Sequence, residues 1–496
     1  MIRPQRNKMR RSNSNNAAAF LLPYALCTFG LQAVIGFTAS FQTEFYNKAF
    51  AVIDSRIITR CAIILAAAKL ISCLLDPVIG MQMDRSAGKG RSLFFWLRGS
   101  VAPLAILTVL LFVRLPFERF GGKPLMYAYI TFSAVLWNIA MSCTEIPLQS
   151  MISYLSETRK DGKRLTFLTN IMKTIGLGAP PILVTVIMLV TDRIRGEGGT
   201  SETGYYLINV LTVTAIGLLL SLPMLTRDRQ SDRNASVERQ STVSLRQMID
   251  VIRNNKYILI VFFINVLGFA RNLSNVILLQ ANGALVGKIT LFGRTMDTTT
   301  SATWIPFVFG NVTSVIALFA VPAINKKLKE KKTYLLFSGA FFIFSVAAWL
   351  FYILQPEGSP FRSGNGAMHM LMVMSGIGSF LMGANEFIPL AMTADIASFG
   401  EQKTTQSNPS VPYAVLTMSI KIGVALGVIL GLLLVGRSGY NQVVYETGAV
   451  TIKMQNSIMF AFMLIPGISA LLSAVPVLFY DLNEPAETRR EPIAAQ

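Results

Sequence analysis

KLISCLLDPVIGMQMDRSAGKGR, residues 69–91, is the stretch from which the architecture is read. Its first half is an apolar helix that carries Lys69 and Asp76 far from either end. Its second half leaves that helix for a charged, glycine-bearing turn with Asp84, Arg85, Gly88, Lys89, Gly90 and Arg91. Charged side chains inside hydrocarbon, followed by such a turn, describe a functional membrane helix that reaches the aqueous surface.

The whole chain agrees with that reading. Of its 496 residues 52% are apolar and only 14% charged, which is too apolar for a soluble domain. Runs long enough to cross roughly 30 Å of hydrocarbon recur along its length. The ten-residue alternating segments of a membrane β-barrel do not occur. A net charge of +19 invites nucleic-acid binding, but the basic residues sit in short connections between apolar runs and form no basic domain. No nucleic-acid partner is expected. The four cysteines, Cys27, Cys61, Cys73 and Cys143, fall inside apolar runs and read as small core residues.

Twelve spans are predicted, at 18–46, 57–82, 93–113, 124–155, 165–191, 204–225, 257–287, 303–324, 333–354, 367–397, 411–436 and 457–481. The fold class is an all-α polytopic membrane protein. Most of the 45 lysines and arginines fall in the tails and the even-numbered loops, including five lysines from Lys326 to Lys332. Both termini are therefore expected in the cytoplasm, at the plasma membrane, with lipid as the surrounding partner.

The longest inner connection, 226–256, opens as a polar stretch that cannot bury a core. It then becomes a short amphipathic helix, with Leu245, Met248, Ile249 and Ile252 on one face. The expected division is a tail at 1–17, a six-helix bundle at 18–225, the linker, a second bundle at 257–481 and a tail at 482–496. The halves echo each other: Glu145-Ile-Pro-Leu148 on span four is answered by Glu386-Phe-Ile-Pro-Leu390 on span ten.

Each ionisable group in hydrocarbon costs at least about 2.5–3.5 kcal/mol on insertion scales and needs a partner or a watery cavity. Lys69, Asp76, Glu145, Lys173, Arg271, Glu386, Asp395 and Lys421 are the candidates. Lys69, Ser72 and Asp76 share one helix face, as do Ser142, Glu145 and Gln149. Convergent carboxylates and hydroxyls are hard ligands suited to a small cation, and a carboxylate alone can carry a proton. The alternative for Lys69 and Asp76 is a structural ion pair. Gln32 either bonds a sugar hydroxyl or glues helices together. Glu386 either serves the site or faces an aqueous vestibule, and Asp395 reads as gating or structural. Lys173 and Arg271 are left without a role. Nucleotide-binding, zinc-protease and serine-hydrolase motifs are missing, so no enzyme activity and no cofactor are expected.

The turn Gly80–Arg91 resembles the loop between spans two and three of major facilitators. More closely, the chain resembles the glycoside–pentoside–hexuronide:cation symporter family. The resemblance rests on Asp76-Pro77 with Gly80, Glu145-Ile146-Pro147, Ala394-Asp395-Ile396 with Phe399-Gly400-Glu401 and Lys403, and Tyr413 to Lys421 with Gly423. It implies two six-helix bundles rocking about a central site. It implies cation ligands at Asp76, Ser72, Ser142 and Glu145, and solute contacts at Gln32, Glu145, Gln149, Thr417 and Lys421. Asp84, Arg85, Arg91, Asp395, Glu401 and Lys69 become gating or structural charges. Three positions depart from the family: Ser72 replaces a first span-two aspartate, Gln32 an acidic span-one ligand, and Gln149 a tryptophan found in a member.

The expected function is cation-coupled symport of a glycoside or related sugar by a monomer, the coupling ion being a proton or sodium. The rivals are transport of an organic anion, peptide or lipid, uncoupled uniport, and a membrane sensor or scaffold with the linker as its output.

Overall fold

The computed structural model describes residues 3–50, 53–54, 57–87, 93–155, 159–195, 202–226, 255–271, 273–291, 293–298, 304–403, 410–441, 444–445 and 447–481. The amphipathic segment 244–252, Arg91 and the segment 482–496 lie outside the described residues.

A bilayer core leaves backbone groups no water to bond, so a spanning chain must be helical or closed into a barrel. Among the described residues, ten helices are long and apolar enough to cross a membrane, and one of them, Val308–Ile353, contains 46 residues. At about 1.5 Å per residue that is roughly 70 Å, more than twice the hydrocarbon thickness. The helical stretch Trp304–Ile353 is broken at Lys329, with φ 62° and ψ 163°, and so comprises spans eight and nine. The remaining crossing, span seven, begins as the 12-residue helix Lys256–Leu267. The twelve-helix expectation is thereby met. Span one is helical from Arg3 to Phe50, so the segment expected as a tail continues its helix.

In the first bundle, span one packs on span five (Arg159–Arg195) and span six (Glu202–Leu225). Span two (Ile57–Ala87) and span three (Leu93–Leu111) pack on span four (Gly122–Leu155). One end of this bundle is filled by rings: Phe37 and Phe112 have centroids 4.9 Å apart, Phe45 and Tyr206 5.7 Å, and Phe50 and Phe117 5.7 Å. Each such pair contributes about 0.5–1.5 kcal/mol beyond its area. Elsewhere close approach replaces bulk. A Cβ on Gly30 would stand 2.7 Å from Gly217 O, and one on Gly176 would stand 2.9 Å from Gln32 Cβ. Small residues of this kind let membrane helices touch along their backbones.

In the second bundle, spans eight and nine pack on span ten (Gly364–Lys403) and on span twelve. Span seven packs on span eleven (Ser410–Ser438) and on span twelve. Spans seven and twelve are both irregular, and their irregularities match. Span seven stops at Leu267, turns through 268–271 and resumes as the short pieces Leu273–Val276 and Leu278–Ala281 and the π-turn Asn282–Val286. Span twelve (Ile452–Val477) carries a π-turn at Phe460–Leu464. Ser469 Oγ accepts from Ala270 N at 3.0 Å and donates to Leu267 O at 2.9 Å. Ser274 Oγ donates to Phe462 O at 2.9 Å. Hydroxyls of neighbouring helices thus re-satisfy the backbone groups that the breaks release.

Span seven ends in a feature the periodicity did not reveal, an antiparallel hairpin of β1 (Lys288–Leu291) and β2 (Arg294–Asp297). Gly293, at φ +76°, supplies the left-handed residue its tight turn requires. Asn365, at the start of span ten, bonds both the N–H and the carbonyl of Thr290 at 3.1 Å.

Span two lies along span eleven, and span five along span eight, where Phe167 meets Phe319 at 5.0 Å. Matching each span of the first bundle to the span six places later exchanges these two contacts. The inter-bundle seam therefore has the symmetry of a duplicated six-helix unit.

Candidate functional site

Spans one, four and five bring three polar side chains together. Gln32 Nε2 donates to Glu145 Oε1 at 3.1 Å, and Lys173 Nζ stands 3.8 Å from the same oxygen. Gln32 and Glu145 are buried, while the Lys173 side chain is 39% exposed. Local sequence places each member. Gly176 allows span five to close on Gln32, and Pro147 leaves the Cys143 carbonyl without its usual helical donor one half-turn from Glu145. Gln32 Oε1 is buried and accepts no hydrogen bond among the described residues. A buried carbonyl oxygen, a carboxylate and a half-exposed ammonium are the complement that a polyhydroxylated solute can bond.

A second cluster joins the bundles. Lys421 Nζ lies 2.8 Å from Asp76 Oδ1, 2.6 Å from Asp76 Oδ2 and 2.6 Å from Ser142 Oγ. Oδ2 is in ion-pair contact with the ammonium and accepts no further hydrogen bond among the described residues. Ser142 and Glu145 are three residues apart on span four, so the two clusters share one helix face, as their spacing predicts. The neighbouring Cys73 Sγ reaches Met418 O at 3.5 Å across the same seam.

The alternative of a Lys69–Asp76 structural pair is corrected. Seven residues are nearly two helical turns, about 10 Å of rise, whereas Lys421 approaches Asp76 directly from the facing helix. Lys69 is half-buried and has no carboxylate within ion-pair distance among the described residues. Ser72 Oγ donates to Lys69 O at 2.9 Å within its own helix. Gln149 and Thr417 are half-buried, one turn from Glu145 and Lys421 respectively. Asp395 is half-buried and within electrostatic reach of Tyr480. Asp84, Arg85 and Glu401 lie in the helices of spans two and ten, with side chains outside the described residues.

Two constellations escape the sequence reading. Arg271, placed at the break of span seven, donates to Asn265 Oδ1 at 3.0 Å, Ile264 O at 3.1 Å and Tyr334 Oη at 3.3 Å. Tyr334 Oη in turn lies 2.8 Å from Ser473 Oγ. Glu386 is exposed, and the cations that act on it are Arg271 and Lys173. Arg271 is an ionisable residue within a span and was visible as such, but the interruption of span seven hid its depth. The other is Asp54, between spans one and two, bonded by Tyr127 Oη at 2.7 Å and paired with Arg60 at 2.7 Å and Lys123 at 3.8 Å. A lone acid in a short connection carries no signal of its own. The four cysteines are free.

A family model described as MFS/sugar transport protein matches residues 17–484. The uncharacterized symporter YnaJ of Bacillus subtilis is 20% identical over 470 residues, covering 93% of this chain and 91% of its own. The glucuronide carrier protein homolog of Escherichia coli is 22% identical over 390 residues, covering 77% of this chain and 76% of its own. Among solved structures, the nucleoside transporter NupG superposes with a TM-score of 0.55 at 13% identity, covering 93% of this chain and 99% of that one. A bacterial homologue of the iron transporter ferroportin, in its outward-facing state, gives a TM-score of 0.54 at 12% identity, covering 93% and 98%. At these identities the superpositions speak for the fold alone.

Proposed function

The chain belongs to the MFS/sugar transport protein family and is a multi-pass solute transporter of the major facilitator fold, and on that premise we propose cation-coupled symport of a glycoside or related sugar by alternating access. The observation that carries this reading is the Gln32–Glu145–Lys173 cluster. Three spans present a donor, an acceptor and a charge there, and Gln32 Oε1 is buried and accepts no hydrogen bond among the described residues. A sugar hydroxyl is both donor and acceptor, so it can use that oxygen and the carboxylate together. Gln149 and Thr417, half-buried one turn from Glu145 and Lys421 respectively, are further candidate solute contacts in this reading.

Transport then follows from the seam. Solute held by the first bundle biases the rocking equilibrium only through its different affinity for the two states. The excess of basic residues in the even-numbered loops supports termini on the cytoplasmic side of the plasma membrane. A single chain holds both clusters, so a monomer suffices.

A second reading, an anionic solute such as a uronide, is favoured by one observation. Lys69 and Arg271 have no carboxylate within ion-pair distance among the described residues, and Lys173 holds Glu145 only loosely. The relative named as a glucuronide carrier homolog points the same way.

Counterflow in proteoliposomes tests both readings, with labelled galactosides, glucosides, pentosides and uronides offered in turn. Exchange of a neutral glycoside that Glu145→Gln abolishes supports the first reading. Exchange confined to uronides supports the second. No exchange of any of them by folded protein rejects sugar transport.

A further inference from the structure

Asp76 and Ser142 present the hard oxygens that a small monovalent cation would take between spans two and four, and that place is filled from the other bundle. Lys421 Nζ lies 2.6 and 2.8 Å from the two carboxylate oxygens and 2.6 Å from the Ser142 hydroxyl. The hydroxyl donates its hydrogen to Asn138 O at 2.9 Å, so it turns a lone pair to the ammonium. Asp76 is 2% exposed and Lys421 8% exposed. Space, ligands and charge are thus used together: a sodium ion at Asp76 would have to displace the ammonium or sit against it in a low dielectric. Lys69 adds a further positive charge, being within electrostatic reach of Lys421.

We infer that the Lys421 ammonium is a tethered cation in the place a sodium ion would take, so that wild-type protein binds no sodium at Asp76. The tether has a mechanical consequence. A free ion leaves its ligands while both bundles stay in place, whereas Lys421 leaves Asp76 only when span eleven moves off span two. The same two spans meet again where a Cβ on Gly436 would stand 2.5 Å from Thr59 Oγ1 and where Cys73 reaches Met418. The inter-bundle pair therefore acts as a latch that must open in every cycle. This consequence rests on the transport reading, while the ion binding can be measured without any solute.

The test is a sodium titration of the purified full chain, following its apparent melting temperature against choline chloride at equal ionic strength. A ligand that binds only the folded state raises apparent stability saturably. Wild type is expected to show no sodium-specific shift. Lys421→Ala, which empties the place and leaves Asp76 and Ser142, is expected to gain a saturable sodium-specific rise that Asp76→Asn/Lys421→Ala lacks. A saturable rise in wild type, removed by Asp76→Asn, overturns the inference, as does a folded Lys421→Ala with no response. If Lys421→Ala does not fold, Lys421→Gln takes its place, and the wild-type titration still decides. Failure of the sugar-transport reading appears separately, as absent counterflow with the sodium titration unchanged.

Discussion

Lys421 Nζ and Asp76 Oδ2 stand 2.6 Å apart although 345 positions separate the two residues in the chain. The pair ties span eleven to span two, and its members belong to different bundles. Burying two charges offsets most of their mutual attraction, so such a pair contributes little net stability. Leaving one member alone is another matter. The pair fixes which faces meet, and it penalises any state that separates the bundles without hydrating both charges.

Removing one charge should therefore cost far more than removing both. Asp76→Asn strands a buried ammonium and is expected to lose about 3–5 kcal/mol, the usual range for breaking a buried pair from one side. Asp76→Asn/Lys421→Met should recover most of that loss. Unfolding of the single and double variants in mixed micelles measures the coupling. Additivity of the two substitutions to within about 0.5 kcal/mol would show that the charges do not interact.

The carboxylate of Glu145 serves Gln32 and Lys173 at once. Glu145→Gln keeps the shape but loses the charge, so exchange of any accepted solute should fall at least tenfold, about 1.4 kcal/mol in transition-state terms. Gln32→Ala should weaken solute binding by about 1–3 kcal/mol through the lost oxygen, and should also lower the melting temperature because the buried Glu145 carboxylate loses its amide donor. A solute affinity unchanged in Gln32→Ala removes Gln32 from the binding site.

These residues differ in how far the sequence reveals them. The fold was legible because hydrocarbon imposes length and apolarity on every span, and the twelve expected crossings are those found. Glu145, Asp76 and Lys421 were legible for the complementary reason: a charge in hydrocarbon stands out. Their pairing was only partly so. Helical spacing puts Ser142 and Glu145 on one face, but which cation faces Asp76 depends on how span eleven packs on span two, and no local pattern encodes that. The break in span seven and its hairpin were hidden because Ala270, Leu273 and Ile277 are as apolar as a continuous helix and are fully buried. Its repair by Ser469 is a contact across 199 positions.

Gly176 gives a steric test of the first cluster. An added Cβ would lie 2.7 Å from Phe29 O and 2.9 Å from Gln32 Cβ, so Gly176→Val must push span five away from span one. Overpacking of this kind costs about 1–3 kcal/mol. The displacement also draws Lys173, less than one turn away, off Glu145. Counterflow should drop while helical content by circular dichroism is retained. Full activity in Gly176→Val would mean that the approach of spans one and five does not set the site.

Ser469 gives a test of the second bundle that is independent of any solute. Its hydroxyl accepts from Ala270 N and donates to Leu267 O, both of them groups freed by the break in span seven. Ser469→Ala leaves a buried donor and a buried acceptor unmet, at about 1–3 kcal/mol for each unsatisfied group. Ser457→Ala is the matched control, because the Ser457 hydroxyl donates to Lys453 O of its own helix and its removal should stay within about 0.5 kcal/mol. Hydrogen exchange resolved to 267–273 reads the difference, with faster exchange expected at Ala270 in Ser469→Ala and not in Ser457→Ala. Equal protection in the two variants would mean that the broken segment is held by packing alone.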